Sequence, residues 1–216
     1  MGFDTEYFWS LWPAIFQGSL MTLAAAAAGS VGAILVGIIL ALGRRSGRLS
    51  KIICAGFTEA IRLSPFLVQL YFLYYVLPVW GLTLDAVTVG ILTLSIHFGA
   101  FLGEVFGAGI DAVPRGQVEA ARALGLRNRQ ISFLIVLPQM LRFVAAPTAN
   151  YMISLLKTTP YLAVVGVPEM LGVAFDKASD SFRYVEPLTA AGILFLVYST
   201  IIGQAARYVE RKIRPL

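Results

Sequence analysis

Between Tyr7 and Gly43 the chain carries no charged residue, and Arg44, Arg45, Arg48 and Lys51 then follow with no acid between Gly43 and Ile52. About 20 apolar residues in a helix cross a hydrocarbon core of ~30 Å, so this run is long enough to span a bilayer with tilt. The bases at its end mark the cytoplasmic side, which places the N-terminus outside. Hydrophobic residues make up 58% of the chain and charged residues 13%, a balance that excludes an ordinary soluble domain. A length of 216 residues leaves room for about five or six spans and for no separate soluble domain. The net charge of +5 is distributed at the edges of apolar runs, which is membrane topology and not a nucleic-acid footprint. Asp4 and Glu6 precede the first apolar run where a cleaved signal peptide needs a basic leader, so none is expected.

The apolar runs predict five spans. The first covers about residues 17–43, with Ala25, Gly29, Ala33 and Gly37 forming a small-residue stripe suited to simple close packing. A second rises from the basic loop to about Pro78, with a local break at Ser64-Pro65; Glu59 and Arg62, three residues apart, are placed to pair. Trp80, Tyr74 and Tyr75 suit the outer interface. The third, about 86–110, carries Gly99, Gly103 and Gly107 on one face and His97, Glu104 and Asp111 at intervals of seven on another. The stretch 143–175 would be ~50 Å long as one helix. It is expected to break at Thr158-Thr159-Pro160, leaving a fourth span at about 138–158 and a second helical piece at 161–175. Residues 176–186 read as a polar outer loop, and a fifth span from Pro187 to about Arg207 ends in Arg207, Arg211, Lys212 and Arg214, which puts the C-terminus inside.

The segment from Glu119 to Pro138 is a basic, helix-forming island between apolar runs. Gln117–Leu124 are mostly good helix formers, Gly125 stands where a helix end takes left-handed backbone angles, and Leu126–Leu137 resumes an apolar pattern that Pro138 is expected to redirect. Arg115, Arg122, Arg127 and Arg129 keep this knob cytoplasmic. Glu119-Ala120-Ala121, Gly125, Ile135 and Leu137-Pro138, at that spacing, resemble the coupling loop of permease subunits of binding-protein-dependent ABC importers. The flanks Ala112–Gln117 and Val167–Leu171, with Pro65–Leu70, Tyr74-Tyr75 and Leu77-Pro78, are similar to the polar amino acid subgroup, the histidine, glutamine and arginine type. Two departures stand out. Gly107 occupies a place where similar permeases usually carry arginine, and Arg62-Leu63-Ser64-Pro65 replaces a more usual Arg-Gly-Thr-Pro.

The resemblance implies an all-α membrane protein with five transmembrane helices, N-terminus outside and C-terminus cytoplasmic, forming one permease domain over residues 1–216. A coupling loop at 111–138 would carry the coupling helix between the third and fourth spans. It further implies a second permease chain, identical or similar, two cytosolic ATP-binding subunits and an extracytoplasmic solute-binding protein, in a bacterial cytoplasmic membrane. Glu119, Ala120, Ala121, Gly125, Leu137 and Pro138 would couple to the ATPase. The solute would be a polar amino acid or related zwitterion. No Gly-Lys dipeptide exists to build a phosphate-cradling loop, so ATP and its Mg²⁺ belong on the partner ATPase and no cofactor is expected in this chain.

One histidine and one cysteine, Cys54, cannot supply a metal cluster or an internal disulfide. Ser30, Ser95 and Ser154 carry nothing that marks a nucleophile, which leaves an intramembrane enzyme without support. Ionisable groups within spans face a bundle interior or a wet path, so Glu59, Arg62, His97, Glu104 and Lys157, with Thr158 beside the break, are the translocation-path candidates. For Glu59 and Arg62, mutual locking of the bundle competes with that role. The alternatives are an ATP-independent channel or scaffold, and a permease for a different small solute.

Overall fold

The computed structural model describes residues 2–213; Arg214, counted above among the terminal bases, lies outside them, as does the side chain of Lys212. A short helix α1 (Thr5–Ser10) leads into α2 (Trp12–Gly43), which has a proline in its first turn, where the missing N–H costs nothing. After the basic turn come α3 (Arg48–Leu63) and α4 (Phe66–Trp80), then α5 (Ala86–Asp111) and the short α6 (Arg115–Ala123). The chain continues through a single helical run, α7 (Asn128–Val165), and ends in α8 (Met170–Ser181) and α9 (Val185–Ile213). No strand occurs among the described residues. Among the described residues four helices, α2, α5, α7 and α9, are long and apolar enough to cross a membrane, and α3 with α4, bent by 109° at Ser64-Pro65, makes a fifth if the pair is one broken span.

Small residues set the core. Gly29 lies against Leu94, Gly37 against Leu102, and Gly103 against Leu40, so α2 and α5 run side by side in the same direction. The approach is close. A Cβ on Gly99 would sit 2.6 Å from the Val36 Cβ, well inside van der Waals contact. In lipid, where apolar burial drives no helix association, such backbone proximity supplies much of the packing energy. Because α2 and α5 are parallel, the chain between Gly43 and Ala86 has to return to the side on which α2 began. Residues of α7 descend α5 in reverse order, with Val144 at Gly109 and Leu162 at Gly90, so α7 is antiparallel to both. Along α9, Glu186 meets Asp4 and Tyr198 meets Ser19, which aligns it with α2.

The end of the molecule where α2 begins is tied by polar contacts. Arg183 Nη1 donates to Asp4 Oδ2 at 2.6 Å and its guanidinium lies over the Tyr7 ring, whose hydroxyl donates to Ser181 Oγ at 2.8 Å. The Arg183 guanidinium and the Tyr7 amide hold the Asp4 carboxyl below the usual aspartate range. Glu169, fully buried, caps α8 by accepting from the Leu171 and Gly172 amides and is within 3.3 Å of the Thr22 hydroxyl of α2.

Several sequence expectations are corrected. The first span begins at Trp12 instead of residue 17, because Pro13 starts the helix instead of delaying it. The second is no straight rise to Pro78 but two helices meeting at 109°. Pro138 does not redirect the chain: a π-helical stretch, Ile131–Val136, precedes it, and the Leu137 amide bonds five residues back to the Ser132 carbonyl. That wider turn makes room for the proline ring and its missing donor inside a continuing helix. The break at Thr159-Pro160 is a change to a tighter 3-10 coil over Thr159–Val165, and the next α-helix starts at Met170, not 161. Residues 176–181 belong to α8, which shortens the connection expected over 176–186 to the few residues before Val185, where the last helix begins two residues ahead of Pro187.

Candidate functional site

Two groups of predicted residues lie toward the end at which α2 and α5 finish. The first is the α6 projection. Val113-Pro114 ends the turn out of α5, and the extended Pro114 starts α6 at Arg115. The helix closes with the Gly125 amide on the Arg122 carbonyl at 2.9 Å and the Leu126 amide on the Ala121 carbonyl at 3.1 Å. This is a Schellman closure, and it puts Gly125 at φ +79°, an angle that glycine adopts without strain. The Arg127 amide then donates to Gln130 Oε1 at 2.9 Å, which opens α7. Ala121, Val113 and Ile131 are buried and seat α6 on the bundle. Glu119 and Ala120 are exposed, and Leu124, at the tip, is 82% exposed. Gln139 in α7 donates to Gln117 Oε1 and to the Ile135 carbonyl, tying α6 to the foot of α7. A cavity of about 530 Å³ opens between them, lined by Asp111, Arg115, Glu119, Arg122 and Ser132 among others. Leu137 and Pro138 are therefore at the base of the projection, within α7, while Glu119, Ala120 and Gly125 form its outer part.

The second group is an ion-pair cluster. Glu104 of α5 is 2.7 Å from Arg44 Nη2 and 3.4 Å from Arg62 Nη1, so one carboxylate bridges the end of α2 and the end of α3. The Arg62 guanidinium also lies over the Phe101 ring, 5.4 Å from its centroid. Two guanidinium groups on one carboxylate leave a positive charge in excess, and Arg44 Nε is buried with no hydrogen-bond partner among the described residues. Two turns along α5, His97 Nδ1 is 3.1 Å from Gln69 Oε1, while Gln69 Nε2 donates to the Ile61 carbonyl at 2.8 Å and to Ser64 Oγ at 2.8 Å. One amide thus staples the α3–α4 bend and joins it to α5. Phe66 and Phe101 pack against the imidazole.

The expected Glu59–Arg62 pair is absent: Arg62 turns to Glu104, and Glu59 stands exposed on α3 without an ion pair among the described residues. The reason is geometric, because Arg62 lies on the side of α3 that meets Glu104 of α5, whereas Glu59 lies on an exposed side. Lys157 is exposed on α7, and Thr158 donates to the Ser154 carbonyl at 2.9 Å. Neither reaches the Glu104 cluster. Asp111 meets Arg45 at 2.6 Å. Sequence reasoning missed Arg44, assigned only to the basic turn, and Gln69. The signal for Gln69 was present, since it is the one amide side chain in the charge-free run from Leu63 to Leu84.

A bundle with apolar surfaces on its long helices and a charged cluster shared by α2, α3 and α5 defines the class of helical, multi-span membrane proteins. The chain belongs to the family of binding-protein-dependent transport system inner membrane components, whose model matches residues 33–215. It is a permease subunit. It is 35% identical over 204 residues to the probable amino-acid ABC transporter permease protein y4tG of Sinorhizobium fredii, covering 93% of this chain and 87% of that one. To the glutamine transport system permease protein GlnP of Escherichia coli it is 28% identical, with all of both chains covered. The arginine transport system permease protein ArtQ of Bacillus subtilis is 30% identical over 94% of this chain and 93% of its own. Among solved structures, an amino acid ABC transporter crystallised with histidines superposes with a TM-score of 0.90 at 29% identity, covering 98% of this chain and all of that one. The MetNI methionine transporter in an inward-facing form, at 18% identity and TM-score 0.74, shares the fold.

Proposed function

We propose that this chain is one of two permease chains that line the pathway of an ATP-driven importer for a polar amino acid or related zwitterion. In this reading the end carrying Arg44–Lys51, α6 and the C-terminal bases is cytosolic, and the chain crosses five times with its N-terminus outside. The parallel course of α2 and α5 supports this count, since the chain between Gly43 and Ala86 must then make the return crossing. The printed names of y4tG, GlnP and ArtQ, and the high superposition on an amino acid ABC transporter, support the solute class.

The observation that carries the coupling role is the α6 projection itself. A short helix held rigid by a Schellman closure and presenting Glu119, Ala120 and the 82% exposed Leu124 suits insertion into a groove of a cytosolic ATP-binding subunit, where ATP and Mg²⁺ are handled. Ala121 and Gly125 set the shape of that helix, and Leu137 and Pro138 carry its motion into α7. Along the path, Arg62 and Glu104 offer both signs of charge to a zwitterion; His97, through Gln69, holds the bend; Glu59, Lys157 and Thr158 flank the route. An extracytoplasmic binding protein delivers solute at the opposite end.

Glu119→Lys tests the docking. Reversing a charge at a docked surface juxtaposes unfavourable potentials and costs several kcal/mol. The variant is expected to reach the membrane at wild-type level while less ATPase co-purifies with it at equal salt. Unchanged association and unchanged uptake would remove Glu119 from the interface. Uptake of labelled glutamine, arginine and histidine by the reconstituted complex tests the solute class, and failure of all three to be transported or to compete would sink it.

A further inference from the structure

Helix α3 carries two faces that the transport reading does not use. Toward the bundle it presents Ser50, whose hydroxyl donates to the Gly43 carbonyl at 2.7 Å, Cys54 beside Gly43, and the fully buried Thr58. Away from the bundle, Leu49, Ile52, Ile53, Phe57 and Leu63 share one stripe with exposures of 72, 62, 60, 42 and 76%. Arg48 and Lys51, in the first turn, are exposed. Arg44 and Arg45 are paired with Glu104 and Asp111, whereas Arg48 and Lys51 enter no ion pair among the described residues. No acid lies between Gly43 and Glu59. The N-cap is Gly47, without a side-chain cap, so the positive end of the helix dipole adds to these charges.

The helix also stays near one end of the molecule. Cys54 packs at Gly43, and Arg62 still reaches Glu104, to which Arg44 also binds. The 16 residues of α3 therefore lie beside the last turns of α2 and α5 before the chain bends by 109°. An amphipathic helix with an outward apolar face and a basic first turn, held at the basic end of a membrane bundle, matches the boundary between acyl chains and headgroups.

We propose that α3 is an interfacial helix that binds anionic phospholipid of the cytoplasmic leaflet, with Arg48 and Lys51 on the headgroup phosphate and the Leu49–Phe57 stripe among the acyl chains. Charge complementarity selects this occupant: an anionic phospholipid carries both acyl chains for the stripe and a negative headgroup for the two bases, whereas a neutral lipid or an apolar protein surface gains nothing from Arg48 and Lys51. The inference rests on the cytosolic placement of the basic end and is independent of which solute moves.

The test uses the full-length chain in the complex it forms, reconstituted in phosphatidylcholine bilayers with or without phosphatidylglycerol. Retained phosphatidylglycerol is counted by native mass spectrometry for wild type, R48Q/K51Q and the charge-preserving R48K/K51R. A base near an anionic surface contributes about fivefold in affinity, so the double neutral variant should lose roughly thirtyfold and R48K/K51R should retain wild-type binding. In a Cys54→Ala background, a fluorophore on Ile53→Cys should be quenched by nitroxide placed on lipid acyl chains. Equal retention by wild type and R48Q/K51Q overturns the proposal. So does a label at position 53 that lipid nitroxide cannot reach, which would assign the face to another protein chain.

Discussion

At Gly125 a single backbone angle, φ +79°, decides the direction in which the chain leaves α6. Beyond its chain neighbours, no described atom lies within 4 Å of the place where a Cβ would stand, so space is available and the cost of a side chain there is conformational. A β-branched residue held at that angle costs roughly 1–3 kcal/mol, which the exposed turn relieves by changing shape. Gly125→Val is expected to leave membrane levels unchanged and to lower ATP-driven uptake several-fold; wild-type uptake in vesicles would show that the turn does not transmit coupling. This position was legible in the sequence because glycine after a run of helix formers has a local meaning. Arg44 was not. Its partner is Glu104, sixty residues away, and nothing in a basic turn distinguishes the arginine that folds back onto the bundle from the one that stays in water.

Apolar length made α2, α5, α7 and α9 readable as elements, since a bilayer imposes that length on any helix that crosses it. Their interiors were harder to read. Pro138, expected to redirect the chain, and Pro78, expected to close the second span, both follow π-helical stretches, Ile131–Val136 and Phe72–Val76. A proline removes a hydrogen bond whether the helix kinks or widens, so the residue alone does not say which occurs. Glu169 was visible as a charge in an apolar stretch, yet its role depends on Thr22, which α2 brings to it. As the cap of α8 it accepts two amide hydrogen bonds. Glu169→Ala should cost roughly 1–2 kcal/mol, read as a lowered Tm of the detergent-purified protein, while Glu169→Gln keeps an accepting oxygen and should lose less. Equal losses for the two substitutions would mean that the carboxylate acts through its charge and not as a cap.

Across the whole molecule, the parallel α2–α5 pair is the fixed reference. Gly99→Ala should force the two helices apart and cost about 1–3 kcal/mol by overpacking, because the new Cβ would lie 2.6 Å from the Val36 Cβ. Gly192→Ala, where a Cβ would meet nothing within 4 Å beyond the backbone of its own helix, should change stability by less than about 0.5 kcal/mol. Thermal unfolding of both variants checks the contrast, and similar Tm values would deny the close contact any weight. The glycine spacing in α5 announced a packing face, but which helix filled it, and in which direction, emerged only from the assembled bundle. The α-helical part of α7, Leu137–Thr158, has 22 residues and at ~1.5 Å each is about 33 Å long, beginning at the foot of the α6 projection. If the proposed coupling holds, a segment of that length pivoted at its base would act as a lever: a swing of about 10° would sweep its Thr158 end through roughly 6 Å, so a small mechanical stroke on one side of the membrane would be delivered, enlarged, on the other.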